Sequence, residues 1–202
     1  TNKGGGPCYE LEDLRKIKEV RDANDLQFHL DGARIWNALV AKNQHPKEFG
    51  KLFDTISVCF SKGLGAPVGS VLLGSNEDMK RALRVRKIFG GNMRQSGYLA
   101  AAALYSLEHN ITRLSEDHRR AKEIGDLLST LPFIAKVEPV ETNIVIFNLT
   151  SNVIEKTFLN QLKSKNIHIS SMGQGKLRMV THLDYKEVMH EYVLEALSKM
   201  QL

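Results

Sequence analysis

Two rhythms of apolar residues alternate along the chain. In residues 10–25, Leu11, Leu14, Ile17 and Val20 recur at three-residue spacing, which predicts a helix with one apolar face. Residues 26–30 form a short apolar run and predict a buried strand. Helical spacing resumes over residues 31–41, with Ile35, Trp36, Leu39 and Val40 for packing and Trp36 in the core. After the His45-Pro46 break, residues 49–53 fit a short helix. Residues 55–60 then predict a second buried strand, carrying Cys59, and residues 71–73 a third apolar one beyond a glycine-rich turn. Helix and strand in this alternation predict a βαβ layout with a mostly parallel sheet.

Residues 76–89 predict a helix with Asn76 as its cap, Glu77 and Asp78 in its first turn, and Gly90-Gly91 as its end. Residues 93–109 predict a long buried helix and residues 111–131 another, the pair bridging to a second domain. Beyond Pro132 the rhythm shortens: strands at 134–140 and 143–149, a helix at 153–165, strands at 167–170 and 176–182, and a closing helix at 185–200. The expected fold class is α/β, with a large domain including the bridging helices over residues 1–131 and a small α+β domain over 132–202. The opening Thr1-Asn2-Lys3-Gly4-Gly5-Gly6-Pro7 predicts a connecting loop. It lacks the preceding strand and the following Lys-Ser of a P-loop.

An apolar share of 42% is enough for a packed core. Two cysteines are too few for a disulfide framework, which points to a reducing compartment. The small-apolar run 99–104 is too short to cross a membrane. A net charge of +5, a pI near 9.2 and the basic run at 80–87 raise nucleic acid as a partner. No aromatic-interleaved pattern, zinc spacing or recognition helix accompanies them. A helix side facing solvent or an anion accounts for the charge, and neither nucleic acid nor membrane is an expected partner.

The chemistry concentrates on Lys62. It comes just after the second strand, precedes the turn Gly63-Leu64-Gly65-Ala66-Pro67, and stands before a further apolar run. Burial between strands would favour its neutral amine, the form a Schiff-base lysine needs. Asp31 closes an earlier strand. An acid and a lysine at two strand ends are the pair that pyridoxal phosphate (PLP) requires, the acid against the pyridine nitrogen and the lysine at the aldehyde. The bland readings are a lysine that reaches to water and an aspartate that caps a helix.

Four blocks in order, HLDGARIWNA (residues 29–38), SKGLGAPVGSVLLGS (61–75), RKIFGGNMRQSG (86–97) and LRMVTHLD (177–184), resemble the low-specificity L-threonine aldolases. These are PLP enzymes of the aspartate aminotransferase fold type, and the likeness runs through essentially the whole chain. It implies an aldehyde-lyase that cleaves L-threonine or L-allo-threonine to glycine and acetaldehyde. Lys62 and Asp31 would be catalytic and hold the cofactor. Arg34, one helical turn beyond Asp31, would meet cofactor or substrate, and Arg178 the carboxylate of a β-hydroxy amino acid. Ser61, Arg94 and Lys87, with Arg86 nearby, would meet the cofactor phosphate, the basic block by way of a neighbouring subunit in a dimer or tetramer. Thr181 and His182 are expected to be structural, and no metal is implied. The family carries a large preceding portion with a phosphate loop, a histidine stacked on the cofactor ring and further strands of the same sheet. A cytoplasmic location is expected, or a mitochondrial one, with any targeting segment in that portion. Another β-eliminating lyase of the same fold, or a non-catalytic relative that pairs with a full-length homologue, are the alternatives.

Overall fold

The computed structural model describes residues 4–202. Thr1, Asn2 and Lys3 of the expected connector lie outside the described residues. The chain forms two compact units, one of Tyr9–Thr112 and one of residues 4–8 with Arg113–Leu202. The boundary expected at residues 131 and 132 therefore differs from the observed division, which falls after Thr112.

The first unit runs α1 (Leu11–Ala23), β1 (His29–Gly32), α2 (Ile35–Lys42), α3 (Pro46–Gly50), β2 (Thr55–Cys59), β3 (Ser70–Leu73), α4 (Asn76–Ile88) and α5 (Gly97–His109). Its sheet has the order β1-β2-β3 and is mixed: β1 and β2 are parallel, whereas β3 returns antiparallel to β2. Burial alternates along β2, with Ile56 and Val58 inward, so the strand packs chiefly through one face. Ile35 and Leu39 of α2 join Phe49, Leu52, Phe53 and Phe60 among the buried residues. Gly32 lets β1 lie close to β2, since a Cβ there would stand 2.5 Å from the Ser57 carbonyl oxygen. Where the two strands begin, Asp54 accepts a 2.7 Å bond from the Phe28 amide and pairs with Arg21. These hold its carboxyl below the usual range, the Phe28 bond foremost.

Several expected buried faces are exposed. In α1 only Leu14 is buried, with Ile17 41% and Val20 63% exposed. β3 is exposed throughout, α4 buries nothing, and α5 buries only Ala103 and Ser106. No element of the first unit covers these apolar side chains. Trp36 and Cys59 are half-buried. The cap of α4 is Ser75, one residue before Asn76, because its hydroxyl accepts from the Asp78 amide at 3.1 Å.

The second unit comprises α6 (Leu114–Leu128), β4 (Ile134–Val137), β5 (Ile144–Leu149), α7 (Glu155–Ser164), β6 (Ser170–Gly173), β7 (Lys176–Val180) and α8 (Glu187–Ser198). Its sheet is antiparallel throughout, with the order β4-β5-β7-β6. Val145, Phe147, Leu177 and Met179 enter one core with Ile124 and Leu128 of α6, Phe158 and Leu162 of α7, and Val193 and Leu197 of α8. α6 packs on β4, β5 and α8, which is why the unit begins before it. His190 of α8 is buried, 2.7 Å from Glu123 of α6 and 3.2 Å from the Tyr185 hydroxyl. Gly5 and Gly6 are buried as well. The Gly6 carbonyl accepts from the Thr142 hydroxyl at 2.9 Å, and a Cβ at Gly6 would stand 2.9 Å from the Ile144 carbonyl oxygen.

Candidate functional site

Parallel pairing of β1 with β2 sets their carboxyl ends side by side, with Asp31 opposite Ser57. Loops at such ends are where open α/β sheets present their chemistry. The chain leaves β2 at Cys59 and reaches Ser61 and Lys62 in a tight loop. That loop is closed by its own backbone. The Gly65 amide donates to the Lys62 carbonyl at 2.9 Å, and the Ala66 amide to the Phe60 carbonyl at 3.1 Å. The Phe60 amide in turn donates to the Gly69 carbonyl at 3.1 Å. Gly65 and Gly69 have φ of 75° and 121°, the left-handed region that glycine reaches without strain. Leu64 and Ala66 are buried and anchor the turn from within. The side chain of Asn110, just past α5, donates to the Leu64 carbonyl at 2.7 Å. Nothing in the local sequence announced this anchor, since Asn110 lies 46 residues away.

Lys62 and Ser61 are exposed, and so is Asp31. The expectation of a lysine enclosed between buried strands is corrected here: β3 is itself exposed, so it walls nothing in. Asp31 accepts from the Ala33 amide at 3.1 Å, a turn-stabilising bond and not a helix cap, because α2 begins only at Ile35. Residues 31 and 32 belong to β1 and Ala33 and Arg34 to a turn. Placement of Arg34 on one helical face with Asp31 is therefore corrected too; Arg34 is the half-buried residue that precedes α2. Arg86 and Lys87 stand in the last turn of α4, and Arg94 in the segment after it, all exposed. The acid, the amine and the hydroxyl are the donor set that PLP takes, and the left-handed glycines Gly65 and Gly69 keep the loop beside them free of side chains at two positions. The residues fit such a cofactor.

In the second unit, period-two alternation sends Leu177 and Met179 into the core and leaves Arg178 half-buried on the other side of β7. Its Nε is buried without a hydrogen-bond partner. Just beyond, Thr181 is buried, and its hydroxyl donates to the Asp117 carbonyl at 2.7 Å. Asp117 on α6 is fully enclosed and accepts from Arg113 at 2.5 Å. Burial raises its carboxyl above the usual range, against the pull of Arg113. Burial also pushes His118 down to about 4. Among the described residues no cluster of His, Cys, Asp and Glu is arranged to hold a metal ion, and no helix is long and apolar enough to cross a membrane.

The chain is 39% identical over 169 residues to the low-specificity L-threonine aldolase of Candida albicans, covering 84% of this chain and 45% of that protein. It is 39% identical over 183 residues to the low specificity L-threonine aldolase of Escherichia coli K12, covering 91% and 54%. The chain thus spans about half the length of the curated relatives it matches. The structure of Leishmania major threonine aldolase superposes with a TM-score of 0.79 at 18% identity, over 96% of this chain and 57% of that one, and so shares its α/β fold. The family profile described as beta-eliminating lyase matches residues 1–152, the stretch that holds Asp31, Ser61, Lys62 and the loop around them. By that match, the chain belongs to the beta-eliminating lyase family.

Proposed function

We propose that this protein is a PLP-dependent aldehyde-lyase that cleaves L-threonine or L-allo-threonine to glycine and acetaldehyde. The observation that carries the reading is the side-by-side placing of Asp31 and the Lys62 loop at the ends of two parallel strands. When bound, PLP supplies a sink for the electron pair left on the substrate α-carbon as its bond to the β-carbon breaks. Lys62 would hold the cofactor through its amine and, when free, would supply the α-carbon with the proton it needs after the β-carbon departs as aldehyde, balancing the proton that the β-hydroxyl gives up. The Asp31 carboxylate keeps the pyridine nitrogen protonated. Ser61 offers its hydroxyl to the phosphate, and Lys87 and Arg94 offer cations for it in a homo-oligomer, a dimer or a tetramer. Arg178 is assigned to the substrate carboxylate, which suits a guanidinium whose buried Nε has no hydrogen-bond partner among the described residues, and Arg34 to cofactor or substrate. The family description supports a second reading, β-elimination from the same bound substrate.

The test begins with purified chain and added PLP, followed by borohydride reduction and peptide mapping. Label on Lys62, absent from Lys62→Ala, is the expected result. Incubation with β-hydroxy amino acids then separates the reactions: an aldolase yields glycine and an aldehyde, an eliminating lyase a 2-oxo acid and ammonia. A folded chain that binds PLP without labelling Lys62 refutes the assignment of the lysine. A folded chain that takes up no PLP leaves the non-catalytic reading in its place for this chain.

A further inference from the structure

The sheet of the second unit stops one rung short at its edge. Alternation in the sequence predicts a strand at residues 167–170, yet β6 pairs with β7 only from Ser170, opposite Arg178. Residues 167–169 run on without pairing to β7. The Leu149 amide donates to the Gly175 carbonyl at 2.9 Å and the Thr181 amide to the Asn143 carbonyl at 3.0 Å. Backbone groups of the odd-numbered residues along β7 therefore face β5, and those of the even-numbered residues face the β6 side. The amide and carbonyl of Val180 thus point to where His168 would pair, and no backbone group among the described residues meets them. Beside this open rung lies a cavity of about 660 Å³, with Val180, Ile167, Met179 and Val193 in its lining. Val188, Met189 and Tyr192 of α8 carry it to the surface, at 78%, 52% and 48% exposure. The lining includes Lys165 and His168 and no aspartate or glutamate.

A free donor and a free acceptor on one strand residue are matched by another peptide backbone, which offers both at the same spacing. We propose that an extended segment of a partner protein adds here as a strand antiparallel to β7, an apolar stretch with acidic ends. Its residue opposite Val180 exchanges two hydrogen bonds with that residue. The neighbours on either side of it turn to the Met179 side and fill the cavity, because side chains alternate across a strand. The acidic ends answer the cations of the lining. A second copy of this chain has no such strand to offer. Its edge strands β3, β4 and β6 carry no acid, and the one acid of β1 is Asp31 of the candidate cofactor site. Strand addition draws on neither PLP nor Arg178 and stands apart from the function proposed above.

Calorimetric titration of the 202-residue chain with the peptide acetyl-Glu-Leu-Thr-Leu-Glu-amide, without PLP, tests the site. Binding is expected, and at saturation the Val180 amide, followed by NMR, should exchange about tenfold more slowly. The same peptide N-methylated at its central threonine lacks the donor to the Val180 carbonyl and should bind about tenfold more weakly. Lysines in place of its two glutamates should weaken it about fivefold. His168 is exposed, so His168→Glu leaves the core alone and should weaken the glutamate peptide while strengthening the lysine one. No binding, equal affinity for the N-methylated peptide, or unchanged exchange at Val180 overturns the proposal. So does a concentration-dependent dimer that protects Val180 without peptide, which would assign the edge to a second copy.

Discussion

Gly32→Ala probes the close approach that seats Asp31. The added methyl would stand 2.5 Å from the Ser57 carbonyl oxygen and 3.4 Å from Ile35 Cβ. The Ser57 backbone is held by strand pairing on both sides, to β1 and to β3, so it cannot turn aside as a flexible side chain would. β1 must move by about 0.5 Å or more at this point, an overpacking that costs roughly 1–3 kcal/mol. Alanine recovers about 0.4–1 kcal/mol by restricting the unfolded chain, leaving a net loss of about 1–2 kcal/mol. The single tryptophan, Trp36, lies four residues on in the same unit, so its fluorescence tracks the unfolding of that unit in urea. With a denaturant slope of about 1–3 kcal/mol/M, the midpoint should fall by about 1 M. Gly50→Ala is the control: a Cβ there meets nothing within 4 Å, and the midpoint should hold or rise. A Gly32→Ala midpoint within about 0.2 M of the parent would refute the steric reasoning.

The geometry sets three further outcomes. Asn110→Ala removes the 2.7 Å bond to the Leu64 carbonyl, a loss of about 1 kcal/mol; exchange of the Gly65 and Ala66 amides should quicken about fivefold, and unchanged exchange would show that the Lys62 loop holds itself. Thr181→Val leaves the Asp117 carbonyl without its 2.7 Å donor and should lower the stability of the second unit by about 1–2 kcal/mol, read by exchange along β7, with Thr181→Ser restoring it. Burial holds the His118 pKa near 4, so the unfolded chain takes a proton at about pH 6.5 that the folded one refuses. Stability conferred by this group is complete above about pH 6.5 and is lost as pH falls toward about 4, by up to about 3 kcal/mol. Asp117 acts in the opposite sense, since its raised carboxyl pKa favours the folded state as acid is added. His118→Gln should flatten the acid limb of a thermal-denaturation profile, and an unaltered limb would remove His118 from the account.

Period and punctuation in the sequence were enough to find β2, β7 and the closing helix, because alternation in a strand and three-to-four spacing in a helix come from backbone geometry alone. Lys62 and Asp31 were visible as an amine and an acid at strand ends, and their neighbouring blocks resemble the low-specificity L-threonine aldolases, within the broader beta-eliminating lyase family that the profile match shows. Burial was less legible. An apolar face on α1, α5 or β3 predicts burial without naming the element that would provide it, and none in the first unit does so. The start of α2 was misplaced because Gly32 extends β1 through the close contact with Ser57, a tertiary fact. Ser75 and Asn76 are both capping residues, and only the reach of one hydroxyl to the Asp78 amide decides between them. The reversal into β3, which makes the sheet mixed, depends on the backbone angles of Gly65 and Gly69, and residue spacing carries no strand direction.

The uncovered face of the first unit also governs how the protein behaves as a colloid. Val71, Leu72 and Leu73 on β3, Ile88 and Phe89 at the end of α4, and Tyr98 and Tyr105 on α5 all face outward, Phe89 at 83%. What opposes their mutual attraction is the net charge of +5, a repulsion that reaches only about 10 Å in 0.1 M salt. Dilute buffer near neutrality should therefore keep molecules dispersed. Added salt shortens the repulsion, and a pH close to 9.2 abolishes it. The onset of light scattering should therefore move to lower protein concentration along either path, and the useful storage condition is low ionic strength well on the acid side of the isoelectric point.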